Sequence, residues 1–177
     1  SDEWIKKRTG IKQRHLVSEG ELTSTMAIAA SRKALQNAKI DSKEIDMIIV
    51  ATTTPDQTFP ATAVKVQSEL NINIGPAFDI QAVCAGFIYA LNVGSSILKT
   101  SDFKKALVIG SESFSKILDW SDRSTSVLFG DGAGAFILEK SNEHSEWGIL
   151  SSNFYSNGKF SDILYTDGGP SLNSNVG

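Results

Sequence analysis

The sequence predicts an α/β fold, a mostly parallel mixed sheet with helices on both faces. Two observations predict it. Short β-branched runs alternate with helical stretches as strand, helix, strand, helix, strand, the order of parallel strands joined by crossover helices. The run at 47–53, MIIVATT, has no polar alternation, which suits a strand buried on both faces. At 177 residues, 41% apolar and 21% charged, the chain can build a sizeable core. That length allows one domain or one and a half.

Each element has a local reason. Thr23, Ser24 and Thr25 offer N-caps for a helix reaching about Ala38, along which Met26, Ala30, Ala34 and Ala38 recur at i+4. Asp41 followed by Glu44 matches a capping box for a short helical turn. Pro60 suits the first turn of a helix through Leu70. Ala77–Ile80 reads as a short strand leading into Cys84 and a long uncharged helix. The 19 residues from Ile80 to Leu98 carry no charge and are long enough to span a bilayer. Gln81, Asn92, Ser95, Ser96 and two glycines break up that stretch, so it is expected to be a central helix buried on every side. Ala106–Gly110 is a further strand. Ala133–Leu138 and Gly148–Tyr155 are expected to form an antiparallel hairpin across SNEHSEW at one sheet edge. From Lys159 the chain turns polar and rich in Gly, Ser and Asn.

Composition excludes several functions. Seventeen basic against twenty acidic residues give a net charge of −3, against the basic excess that nucleic-acid binding needs. One cysteine forms no internal disulfide, and with two histidines it makes a poor zinc set, so no metal is expected. The opening SDEWIKKRTG has neither an initiator Met nor an apolar h-region, and no signal peptide is expected.

Four features can carry chemistry. Cys84 sits where a strand passes into a helix, and a helix N-terminus favours the nucleophilic thiolate, although a lone cysteine is more often an inert core residue. Gly86 beside it would allow close approach of substrate or backbone. FGDGAGA, Phe129 to Ala135, opens a strand and not a helix, which rules out a dinucleotide loop; its alternate glycines clear a row of side chains for close packing, or simply make a tight turn. Trp4 and Arg8 share a helical face, and an aromatic plane beside a guanidinium can seat a nucleotide, with Arg123 of WSDRST joining from elsewhere. The bland alternative is an amphipathic entry segment. Phe59, before Pro60, lies past the carboxyl end of a buried strand, where open α/β sheets place ligands or where a Phe plugs the core. His15 and His144 read as surface residues.

Together, SDEWIKKRTGI, MIIVATTTPDQTFP, AFDIQAVCAGF and FGDGAGA resemble the β-ketoacyl-acyl-carrier-protein synthase III family across essentially the whole chain. The resemblance implies a thiolase-like fold, of which this chain is the N-terminal half of a five-layered αβαβα architecture. Residues 1–158 would form that half domain with its first strand missing, and 159–177 the start of the connection to the C-terminal half. It also implies a cytoplasmic homodimer that joins an acyl-coenzyme A primer to malonyl-acyl-carrier protein, initiating type II fatty acid synthesis. No cofactor is implied, coenzyme A entering as the substrate thioester; neither nucleic acid nor membrane is a partner.

Residue by residue, Cys84 matches the family's acyl-accepting nucleophile. Trp4 and Arg123 match the pair that sandwiches adenine, and Arg8 the arginine near the phosphates. Phe59 matches a residue that reaches into the partner's acyl pocket, Phe129 a pocket residue that shapes decarboxylation, and Phe87 is placed beside the acyl chain. The family's catalytic histidine and asparagine, which serve decarboxylation from the C-terminal half, match neither His15 nor His144 and lie outside these residues. A molecule ending at Gly177 is therefore expected to lack condensing activity and to expose an apolar face. Rival expectations are a quinolone- or polyketide-pathway condensing enzyme of the same type, and a non-catalytic acyl-coenzyme A binding fragment.

Overall fold

The computed structural model describes residues 1–141 and 148–172. Helix α1, Asp2–Thr9, carries Asp2 and Glu3 in its first turn and Lys6, Lys7 and Arg8 in its last, which matches the helix dipole at both ends. Gly10, at φ 73°, ends it in the left-handed conformation that favours glycine. No residue of α1 is buried.

Helix α2, Thr23–Ala38, has the expected bounds but a different cap and a different buried face. Leu22 is the N-cap, and its N–H donates to the Thr25 hydroxyl at 3.0 Å. Thr23 and Ser24 are instead buried inside the first turn. Ala27, Ile28, Ser31 and Leu35 face the core, while Met26, Ala30 and Ala34 lie on its shoulder. Ser31 is tolerated because its hydroxyl donates to the Ala27 carbonyl at 2.7 Å. The Asp41–Glu44 capping box forms around a 3-10 turn, as expected.

Strand β1, Met47–Ala51, is buried throughout. Helix α3 spans Thr62–Glu69, so Pro60 stands ahead of its N-cap, Ala61, and not in its first turn. The free amides of that turn, Thr62 and Ala63, donate to the Asp79 carboxylate at 2.7 and 2.8 Å. Asp79 belongs to strand β2, Ala77–Ile80, which is followed by helix α4, Gly86–Thr100, and strand β3, Lys105–Glu112. A four-residue helix, α5, covers Arg123–Ser126, and strand β4 covers Gly132–Glu139.

The sheet order is β2-β1-β3-β4, with β1 parallel to both neighbours and β4 antiparallel to β3. Alternate side chains of β1 and β3 pack on opposite faces. Ile48, Val50, Leu107 and Ile109 meet α2 and α3. Met47, Ile49, Ala106 and Val108 meet α4. The mixed sheet with helices on both faces is thus observed.

Two further expectations fail. Gly148–Tyr155 forms no strand, and β4 pairs directly with β3 instead of with a hairpin partner. Apolar packing on α4 wins over sheet extension: Phe154 lies 4.5 Å, ring to ring, from Tyr89, and Ser152 bonds to Asn92. Most of the proposed turn SNEHSEW lies outside the described residues, as does His144. Helix α4 is also not buried all round. Only the stripe Gly86, Ala90, Gly94 and Leu98 is buried, where small residues bring it close to the sheet, and Ile88 opposite is 51% exposed. The segment Val83–Thr100 is long and apolar enough to cross a membrane, yet its small-residue stripe packs on the sheet.

Candidate active site

Because β1, β2 and β3 run parallel, their carboxyl ends share one edge of the sheet, the edge at which open α/β folds hold ligands. Four residues past β2, Cys84 lies at that edge in the 3-10 turn Val83–Ala85, directly ahead of α4. Its side chain is exposed, and it is a free thiol. The turn is tight enough to hold Val83 at φ 48°, a region costly for a β-branched residue. That strained residue adjoins an exposed thiol at a helix start. Gly86 is buried where α4 meets β1, and a Cβ there would lie 3.4 Å from the Ala51 Cβ, an ordinary van der Waals contact.

A buried polar network fixes the same edge. Glu112, ending β3, accepts from the Thr53 N–H at 2.7 Å, the Thr54 N–H at 3.1 Å and the Thr54 hydroxyl at 2.6 Å. Burial pushes its carboxyl above the usual range even though these hydrogen bonds pull the other way. Thr23 adds α2 to the network, its hydroxyl donating to the Thr54 carbonyl at 2.6 Å. Sequence reasoning missed Glu112; its signal was a lone acid ending an apolar strand. The network anchors the start of the loop that carries Phe59, which is 82% exposed at its far end.

The residues expected to border acyl or malonyl groups lie in separate surroundings among the described residues, with Phe59 at the exposed end of its loop. Phe87 turns towards the sheet, its ring over Gly110 and 5.7 Å from the Phe136 ring. Phe129 stacks on Phe114 at 4.5 Å. The nucleotide candidates fall into two groups. On α1 the Arg8 guanidinium sits 5.5 Å from the Trp4 ring centre, and the indole is half exposed. Arg123 instead lines an open groove of about 410 Å3 together with Arg14, Leu16, Trp120 and Phe129. Asp122 caps α5 by accepting from the Ser124 N–H at 2.8 Å, and the Ser124 and Thr125 hydroxyls help hold its carboxyl below the usual range.

FGDGAGA works chiefly through its aspartate. The Asp131 carboxylate accepts from the Val17 N–H at 2.8 Å, the Ser115 N–H at 2.7 Å and the Ser115 hydroxyl at 2.5 Å. Its own N–H donates to the His15 carbonyl at 2.8 Å. Gly130 permits this clamp, since a Cβ there would lie 3.2 Å from that carbonyl oxygen. Gly132 and Gly134 face open space. No group of metal-ligating side chains is found among the described residues.

A family model described as 3-oxoacyl-[acyl-carrier-protein (ACP)] synthase III matches residues 78–158. The whole chain is 57% identical to β-ketoacyl-[acyl-carrier-protein] synthase III of Ehrlichia canis and 55% identical to that of Rhodospirillum centenum, covering 55% of each. The crystal structure of 3-oxoacyl-[acyl-carrier-protein] synthase III from Aquifex aeolicus superposes with a TM-score of 0.88 at 46% identity, over 94% of this chain and 53% of that one. The chain thus spans about half the length of the relatives it matches.

Proposed function

Given that this chain belongs to the β-ketoacyl-acyl-carrier-protein synthase III family, we propose that the intact protein is an acyltransferase condensing an acyl-coenzyme A primer with malonyl-acyl-carrier protein. The observation that carries this is an exposed Cys84 at the carboxyl edge of a parallel sheet, at the start of α4. The Cys84 thiolate attacks the thioester carbonyl. The new sulfur–carbon bond forms as the old one breaks, and coenzyme A leaves as a thiolate that takes up a proton. Malonyl-acyl-carrier protein then loses carbon dioxide. Its carbanion attacks the acyl carbon, the Cys84 sulfur leaves, and a 3-oxoacyl product forms. Enolate charge developing in this half-reaction needs hydrogen-bond donors at the thioester oxygen, which residues outside this chain supply.

Trp4 and Arg123 would flank the adenine with Arg8 near the phosphates, in keeping with the exposed indole and with Arg123 in an open groove. Phe59, projecting from its loop, would enter the partner's acyl pocket in a homodimer, and Phe87 and Phe129 would border the acyl chain and malonyl group. The protein would work in the cytoplasm, with no cofactor beyond its thioester substrate.

Mass spectrometry after incubation with acetyl-coenzyme A tests the proposal. One acetyl adduct on Cys84, absent in Cys84→Ser while coenzyme binding persists, is the expected result. Saturable coenzyme binding without any adduct would reduce the protein to a binding module, and labelling that survives in Cys84→Ser would assign the nucleophile elsewhere.

A further inference from the structure

Glu112 is a partly buried acid for which the proposed reaction has no use. No cation pairs with it among the described residues. It accepts instead from the Thr53 N–H, the Thr54 N–H and the Thr54 hydroxyl, all of one loop. The Thr54 hydroxyl in turn accepts from the Ser113 N–H at 2.8 Å, so the last residue of β3 and the one after it both grip the start of that loop. The loop is held again in its middle and at its end. The Asp56 carboxylate accepts from the Ser24 N–H at 3.0 Å and pairs with Lys65 at 3.2 Å, tying the loop to α2 and α3. Asp79 takes the amides of Thr62 and Ala63, where the loop enters α3. Between these last two holds, Gln57, Thr58, Phe59 and Pro60 are exposed. The loop is an arm fixed at its base with an aromatic ring near its tip.

We infer that Glu112 and Thr54 are positioning residues for selection of the acyl primer: they fix the base of the arm whose Phe59 borders that primer. This rests on the reading of Phe59 given above. One methylene in an apolar pocket separates substrates by only roughly ten- to two-hundred-fold, so a wall that reads chain length must stand within a fraction of a methylene of its place. A wall carried on a loop inherits every shift at the loop's base, and the hydrogen bonds that lock the base set its precision. Both residues act through Phe59 and not on the reacting atoms.

Steady-state kinetics of the intact protein with acetyl-coenzyme A and hexanoyl-coenzyme A as primers test it, in wild type, Phe59→Ala, Glu112→Gln, Thr54→Val and Thr54→Ser. Val keeps the branched shape of Thr54 without its hydroxyl, and Ser keeps the hydroxyl. The quantity read is the ratio of kcat/KM for the two primers. The expected result is that Phe59→Ala, Glu112→Gln and Thr54→Val each bring this ratio roughly fivefold or more closer to one, mainly through KM, while Thr54→Ser stays near wild type. A ratio that moves in Phe59→Ala but not in folded Glu112→Gln and Thr54→Val overturns the proposal and keeps the Phe59 reading. An equal loss of kcat for both primers in those two variants, with the ratio intact, marks a merely structural network and also overturns it. A ratio unmoved in Phe59→Ala removes the Phe59 reading and the proposal with it. If Glu112→Gln does not fold, the Thr54→Val and Thr54→Ser pair decides in the same way.

Discussion

Asp131 concentrates more of the groove's architecture than any glycine around it. Its carboxylate takes two backbone N–H groups and one hydroxyl from segments 14–17 and 113–116, which are otherwise distant in sequence. Replacement by Ala strands all three donors in a partly buried setting, and unmade hydrogen bonds of that kind each cost more than a formed one contributes. Asp131→Ala is therefore expected to destabilise the protein by about 2 kcal/mol or more in chemical denaturation. Asn supplies one acceptor oxygen but turns an NH2 group towards the remaining donors, so it should recover only part of the loss. A variant as stable as wild type would show that the contacts carry little energy.

Between elements, Glu112 joins the end of β3 to the loop after β1, and the junction has a pH signature. Its carboxyl is raised above the ordinary value of 4.5, chiefly by burial, so the folded state holds the proton more tightly than the unfolded chain does. Stability from this group is complete below 4.5 and is lost as pH rises through the raised folded value. Glu112→Gln keeps an acceptor without the buried charge. Denaturation midpoints of wild type should fall relative to Glu112→Gln as pH rises from about 4.5 towards neutrality, and parallel curves would refute it. Elements set by local chemistry are legible in the sequence alone: the Asp41–Glu44 box, the bounds of α2 and the buried run in β1 follow from residues close along the chain. Those decided by distant partners are not. The helix after Pro60 starts at Thr62 because Asp79 of another strand receives its first amides. Gly148–Tyr155 has strand-like composition, but Tyr89 and Asn92 of α4 hold its polar and aromatic residues outside the sheet. At the site, Cys84 is legible from its place between strand and helix, whereas the contacts of Asp131 with Val17 and Ser115 are not, because only the fold brings those segments together.

The whole molecule carries more surface than its size warrants. A compact monomer of 19.1 kDa is expected to expose about 8,400 Å2. This chain exposes 11921 Å2. Exposed apolar side chains gather in one stretch of sequence: Leu150, Tyr155, Ile163 and Tyr165 are each at least 70% exposed. On β4 and α4, Phe136 and Ile88 are more than half exposed as well. Solvent-facing aromatic and branched residues at this density are the mark of a face made to be covered. The relatives, with about twice the length of this chain, have the polypeptide to cover it. Residues 1–177 expressed alone should therefore bind a hydrophobic dye strongly and elute as concentration-dependent assemblies. A protein of the relatives' full length should do neither to the same degree. The same comparison separates covering from dimerisation. If the short form becomes dye-silent on forming a discrete dimer, a second copy suffices to bury the face; if dye binding persists in that dimer, the cover must come from further chain.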